Sequence, residues 1–311
     1  MYEEIARNKR RAAACMVAFF VVWVGIGALV GYIWASAGAR SGTSMTGYVM
    51  AGVAVAAVFA LIGIAFSVVS GARLVLAVSG ARPADRDRYL VLHDLVEALA
   101  IGAGVPKPDV YVIEDPSPNA FATGTSPQHA AITVTTGLLA VMDREELEGV
   151  LGHEMSHIRN YDVRLLLVVS TLIGMAGLLA SVIWRWAFFL RPRGRDAGQV
   201  MLVVFAAGIL LGAVALVFGP LIRLALSRRR EELADVSGVE LTRNPAGLIR
   251  ALRTLEQNDK PFARFNHATA AMCIDDPLQH HERWFHRLFD THPPIAERIA
   301  VLEQIAEGRL V

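Results

Sequence analysis

The chain has 311 residues, 54% hydrophobic and only 19% charged, with 30 basic against 29 acidic side chains for a net charge of +1. A soluble domain carries about 25% charge, so this composition excludes an ordinary cytosolic enzyme. It is too apolar for a disordered chain, and the balanced charge argues against nucleic acid as a partner. Cys15 and Cys273 supply neither a disulfide framework nor a thiolate metal site.

In chain order, residues 12–37 form the first uncharged apolar run, longer than the roughly 20 residues that span a bilayer. Arg7, Lys9, Arg10 and Arg11 before it and Ala35-Ser36-Ala37 at its end mimic a secretory signal. A signal's apolar region is only about 7–15 residues, so the run predicts an uncleaved anchor. A second run covers residues 46–72. The polar block after it opens with a helical periodicity over residues 88–102 (Tyr89, Leu92, Leu95, Val96, Leu99) that stops at Gly102 and Gly104. Residues 110–113 and 131–135 are β-branched and short, which predicts strands, and Pro116, Pro118 and Gly124 punctuate a loop between them. Asp143 with Glu146 three residues later is a capping-box pattern, opening a helix that the spacing carries to about Asn160.

That helix contains His153-Glu154-Met155-Ser156-His157. Histidines four apart share one helix face and can converge on a single Zn²⁺, and Glu154 beside the first is placed to act as a general base toward water. Residues 165–190, interrupted only by Arg185, and residues 199–222 form the third and fourth apolar runs. Small residues recur within the runs (Gly25, Gly27, Gly31, Gly174, Gly177, Gly208, Gly212), as expected where helices pack in lipid. Four membrane-inserted helices are predicted. Basic residues at the N-terminal flank, after the second run and after the fourth place both termini and the polar blocks in the cytoplasm. The arginines of residues 191–195 run against that orientation, which a hairpin that does not cross fully would explain. If the helix through His157 continued straight into the third run, the metal would sit about 12 Å from its start, near the headgroups.

A catalytic zinc commonly takes two His and one Glu. The third ligand is sought just after the fourth run, in residues 227–235, where Glu231 and Asp235 are one turn apart. Glu231 can ligate while Asp235 accepts the free N–H of a ligand histidine; Glu232 competes for the role, and a surface ion-pair face is the plain alternative. Further on, His267, His280, His281 and His286 lack ligand spacing and are read as solvated. His292 precedes Pro293 and Pro294 ahead of a helix beginning near Ile295. It can donate a hydrogen bond to a developing oxyanion or to a metal ligand, or merely belong to a rigid turn.

The sequence resembles the HtpX-type membrane zinc metalloproteases, relatives of the CAAX prenyl endoproteases among the gluzincins. The resemblance lies in Pro118-Asn119-Ala120-Phe121-Ala122-Thr123-Gly124, in residues 150–162 around the two histidines, in residues 227–235, and in Thr291-His292-Pro293-Pro294 with Glu297-Arg298-Ile299. It covers nearly the whole chain, and Glu232 departs from it, since relatives usually carry an aromatic there. It implies one zinc held by His153, His157 and Glu231, with Glu154 as base and acid and Asp235 as ligand support. It also implies that substrate backbone pairs along Asn119, Ala120, Phe121 and Ala122 by adding a strand.

The resulting expectation is a mainly α membrane protein with four membrane-inserted helices and a cytoplasmic α+β gluzincin-like zinc protease domain. Residues 1–72 form the N-terminal helix pair, 73–164 and 223–311 the protease domain, and 165–222 a membrane hairpin. The implied function is endopeptidase cleavage of cytoplasmic or unfolded segments, with misfolded membrane proteins as partners, at the prokaryotic inner membrane in stress response and quality control. A processing protease for lipidated or C-terminal peptides and a non-enzymatic membrane scaffold are the competing readings.

Overall fold

The computed structural model describes residues 2–36, 44–189, 198, 201, 205, 208, 228–258 and 294–309. The chain divides into two compact units, one of residues 1–10, 70–167 and 223–311, the other of residues 11–69 and 168–222.

The second unit is built from long apolar helices. α1 (Tyr2–Ser36) and α2 (Met45–Val78) each contain a stretch long and apolar enough to cross a membrane, of 32 and 34 residues. Their outward faces carry Val17, Val21, Val55, Val58, Ile62 and Val69, all more than half exposed, a pattern that water disfavours and lipid does not. Their inward contact is a close crossing, because a Cβ on Gly52 would come within 2.2 Å of the Gly27 carbonyl oxygen. Backbones approach this closely only where a side chain is missing. Phe19, Trp23, Ala60, Val168 and Leu172 form the buried cluster of this unit. Ser67 of α2 and Thr171 of α6 (Asp162–Phe189) share a hydrogen bond between helices. Residues 199–222, the fourth predicted run, lie almost wholly outside the described residues.

The first unit holds a four-stranded sheet in the order β1-β2-β4-β3. β1 (Arg82–Pro83) runs antiparallel to β2 (Asp109–Ile113), β2 parallel to β4 (His129–Thr135), and β4 antiparallel to β3 (Ala120–Ser126). β2 and β4 answer the two predicted strands. Punctuation alone reads residues 116–124 as a loop, but residues 120–126 form the strand β3, with 120–124 buried, where the resemblance implied a strand edge. Small residues covered on both faces give no alternation for a sequence pattern to show.

α3 (Leu90–Ala103) ends as the sequence indicates, with Gly104 in the left-handed region at φ 68°. After the short α4 (Thr136–Val141), α5 (Arg144–Arg159) starts with the predicted capping box: Asp143 accepts from the Glu146 N–H and Glu146 accepts from the Asp143 N–H. α5 is the hub of the unit, packing against β3, β4, α3, α7 (Arg228–Thr242) and α8 (Pro245–Gln257), while α9 (Ile295–Ala306) packs on α7 and α8. Val150, Leu151, Met155 and Ile158 put one side of α5 into the main core. Its buried residues also include the polar Glu146, His153, Glu154, Ser156 and His157, and burying polar groups is tolerable only where they find partners.

One expectation fails here. The helix through His157 does not run straight on: Tyr161 takes a left-handed conformation at φ 61°, and α6 begins anew at Asp162. The turn brings the Asp162 carboxylate back onto His157 at 3.1 Å. The rise of a continuous helix therefore does not measure how far the histidines lie from the apolar run.

Candidate metal centre

α5 supplies His153, Glu154 and His157, none more than 6% exposed. One helical turn stacks the two imidazoles edge to face, with ring centroids 4.7 Å apart, and sets their Nε2 atoms 3.1 Å apart. α7 crosses α5 at Gly152 and Gly238, where a Cβ on Gly238 would fall 2.9 Å from the His153 backbone nitrogen. Only glycine permits that approach, and it carries Glu231 and Asp235, seven and three residues earlier on α7, up to the histidines.

The Glu231 carboxylate oxygens stand 3.6 Å from His153 Nε2 and 3.8 Å from His157 Nε2, and one ligand atom from each of the three residues lies within 4.8 Å of the others. Ligands at about 2.05 Å around a tetrahedral ion stand about 3.3 Å apart, close to the 3.1 Å between the two Nε2 atoms and to the 3.6 and 3.8 Å from His153 and His157 to one Glu231 oxygen each. Glu231 is 1% exposed and faces the two histidines, whereas Glu232 is exposed.

Both imidazoles are oriented from behind. His153 Nδ1–H donates to Asp235 Oδ1 at 2.8 Å, and His157 Nδ1–H donates to Asp162 Oδ2 at 3.1 Å. A carboxylate can only accept, so these bonds fix the tautomer and turn each Nε2 lone pair toward Glu231. Asp235 is held in turn by Arg298 of α9, whose guanidinium is itself 2% exposed. Burial by itself would raise the Asp235 pKa, but the Arg298 charge and hydrogen bonds outweigh it and bring it down to about 2. Burial likewise works against protonation of His153, yet its hydrogen bonds to the Asp235 and Glu231 carboxylates prevail and lift its pKa to about 9. The carboxylates around His153 thus favour positive charge at that imidazole. Arg298 keeps its proton more firmly than usual despite burial, through Asp235 first and then Glu231 and Glu154.

β3 ends the sheet among the described residues, and α5 packs against it. Asn119, Ala120, Phe121 and Ala122 are at most 3% exposed, so their side chains are not the open surface that an exposed edge implies; the edge is a backbone edge. Asn119 is pinned to β4, its carbonyl accepting from the Thr135 N–H at 3.0 Å and its N–H donating to Thr135 Oγ1 at 2.9 Å. By ladder alternation Ala120 and Ala122 turn their peptide groups away from β4, and the Ala120 N–H is taken by Asn119 Oδ1 at 2.9 Å. His292 lies outside the described residues, as do His267, His280, His281 and His286.

Sequence reasoning gave no role to Asp162, Arg298 or Gly238. Asp162 and Arg298 sat inside the segments that carried the family resemblance, which was the available signal. For Gly238 no pattern marked it.

A family model described as Peptidase family M48 matches residues 86–306. Among curated relatives, a protein named Protease HtpX homolog from Streptococcus mutans serotype c is 42% identical over 315 residues, covering 98% of this chain and all of that protein. The protein of the same name from Levilactobacillus brevis is 41% identical over 312 residues with the same coverage. Among solved structures, the crystal structure of S. mikatae Ste24p aligns at 19% identity with a TM-score of 0.47, over 94% of this chain and 66% of that one.

Proposed function

The chain belongs to peptidase family M48 and is a metalloprotease; from that premise we propose that it is an integral-membrane zinc endopeptidase that cleaves unfolded or cytoplasmic segments of membrane proteins. The observation that carries the reading is the meeting of His153, His157 and Glu231 within 4.8 Å with Glu154 buried beside them.

Two imidazole nitrogens and one carboxylate, all buried, are the donor set of a catalytic zinc with a position left for solvent or substrate. When bound there, zinc supplies Lewis acidity that polarises a peptide carbonyl and lowers the pKa of water. Glu154 takes the proton of the attacking water on a carboxylate oxygen and delivers it to the leaving amine nitrogen as the C–N bond breaks. Asp235 and Asp162 keep the two Nδ1 protons in place, so the ligand nitrogens need not reorganise during turnover. His292 is assigned as a donor to the oxyanion that develops on the substrate.

Substrate backbone pairs along Asn119, Ala120, Phe121 and Ala122 through the outward Ala120 carbonyl and the Ala122 peptide groups of β3, with Asn119 and Phe121 fixing that edge to β4 and the Ala120 N–H kept by Asn119 Oδ1. Pairing through peptide groups demands an extended segment and reads little sequence, which suits unfolded chain and a role in quality control under stress. In the proposed topology four helices insert in the membrane, from residues 1–72 and 165–222. The protease domain of residues 73–164 and 223–311 faces the cytoplasm at the inner membrane, as the arginine-rich flanks favour.

The test is metal analysis of the purified protein together with hydrolysis of casein in detergent. One zinc per chain, cleavage blocked by a chelator, and a Glu154→Gln variant that keeps zinc but does not cleave are the expected results. Undiminished cleavage by Glu154→Gln removes the base assignment, and faster hydrolysis of a prenylated peptide than of an unfolded membrane-protein loop replaces quality control with peptide processing.

A further inference from the structure

We propose that Asn8, which precedes the first apolar run, is a positioning residue for the metal centre: it holds Asp162 in the orientation that fixes His157. The proposal rests on His157 being a metal ligand. Asn8 is 2% exposed, and its amide nitrogen donates to Asp162 Oδ1 at 2.7 Å and to the Asn160 carbonyl at 3.0 Å, across 154 and 152 residues of sequence. The other Asp162 oxygen, Oδ2, accepts from His157 Nδ1 at 3.1 Å. The Asp162 carboxylate is therefore shared between one N–H of Asn8 and one of His157, and rotating it away from either loosens both.

The residue type follows from what it meets. The Asn160 carbonyl caps the end of α5, where helix carbonyls lack an intrahelical donor, and Asp162 opens α6; both are acceptors. A primary amide presents two N–H groups from one nitrogen and satisfies two acceptors at once, which no carboxylate or hydroxyl does. Lys9 adds a second clasp, its Nζ 4.1 Å from the centre of the Tyr161 ring, at the residue whose left-handed backbone makes the turn between the helices. Arg230, one residue before Glu231, brings Nη1 to 3.7 Å from Asp162 Oδ1 and places positive charge on the same oxygen. The segment ahead of the first apolar run is thus built into the support of one metal ligand, so clipping or undocking it lowers the hold on the metal without touching a ligand.

The experiment measures zinc affinity of the full-length protein in detergent by competition with a chromogenic chelator. Replacing the partner behind a ligand histidine costs 10–100-fold in affinity, and Asn8 acts one bond further out, so Asn8→Ala and the isosteric Asn8→Asp are expected to bind zinc about tenfold more weakly. With zinc saturating, KM should match the parent. In an Asp162→Asn background Asn8→Ala should cost nothing more. A parental zinc affinity in Asn8→Ala, or an undiminished loss in the Asp162→Asn background, overturns the proposal. Aggregation of both Asn8 variants also overturns it, marking the residue as structural. His157→Ala separates the two readings: zinc retained there defeats the ligand assignment, whereas zinc lost there with Asn8→Ala at parental affinity defeats only this inference.

Discussion

Arg298 grips Asp235 with two hydrogen bonds, Nε to Oδ2 at 2.9 Å and Nη2 to Oδ1 at 2.7 Å, and both side chains are 2% exposed. Asp235 in turn receives the Nδ1 proton of His153, so a helix near the C-terminal end of the chain sets the orientation of an imidazole in its middle. A planar fork matches a carboxylate in a way that an ammonium does not.

Breaking this pair strands a buried charge, which costs about 3–5 kcal/mol. Arg298→Met is expected to lose that much stability in denaturant titration and to weaken zinc binding. The double variant Arg298→Met/Asp235→Leu should recover much of the stability, since apolar replacements of buried pairs are often neutral, but not the zinc affinity. Recovery of both would mean that Asp235 does nothing for His153.

The α5–α7 crossing makes an opposite pair of predictions for two glycines. At Gly238 an added methyl meets the His153 backbone nitrogen at 2.9 Å, while at Gly102 in α3 nothing lies within 4 Å. Gly238→Ala is expected to destabilise the fold and reduce zinc content by prising Glu231 from the histidines. Gly102→Ala should stabilise by about 0.5–1 kcal/mol through helix propensity. Thermal midpoints that move together would refute the crossing.

Metal should act as a staple between α5 and α7. Free zinc at 1,000 times its dissociation constant stabilises a fold that binds it only when folded by about 4 kcal/mol. Chelation is expected to lower the thermal midpoint accordingly, and Glu231→Ala should abolish the difference between chelated and zinc-loaded protein. If Glu231→Ala still gains from zinc as the parent does, Glu231 is not a ligand.

Away from the centre, Arg250 Nη2 donates to Glu145 Oε2 at 2.7 Å and ties α8 to the first turn of α5. Hydrogen bonds from Arg250 and then Asn244 hold the Glu145 pKa below its ordinary 4.5. A lowered pKa contributes stability above the unfolded value that disappears as pH falls through the folded one. Arg250→Gln should therefore melt earlier than the parent at pH 7, with the gap closing as pH drops below about 4.5. A gap that stays constant to pH 2.5 would assign the loss to packing rather than charge.

Features written in adjacent residues were legible without a structure. The capping box at Asp143 and Glu146, the stop at Gly104, the strands around residues 110 and 132 and the His153-Glu154-His157 spacing depend on neighbours within a turn or two. β3 was legible only through the resemblance, which implied a strand edge at residues 119–122; Ala120, Phe121 and Ala122 are all buried and show no alternation of their own. The end of α5 near Asn160 was legible, but the left-handed turn at Tyr161 was not: nothing in its neighbours announces it, and the contacts of Asp162 and Lys9 surround it.

By itself, then, the sequence determined which residues are candidates to carry chemistry, because ligand type and helical spacing are local properties of the chain. Only the tertiary structure decided which groups support them. Glu231 rather than Glu232 turns inward, Asp162 rather than solvent receives the His157 proton, Arg298 neutralises Asp235, and Asn8 reaches across 154 residues to its carboxylate. These choices depend on where helices approach, and that is set by close crossings such as Gly152 against Gly238. Short-range periodicity does not encode such crossings, since they arise only when distant segments pack.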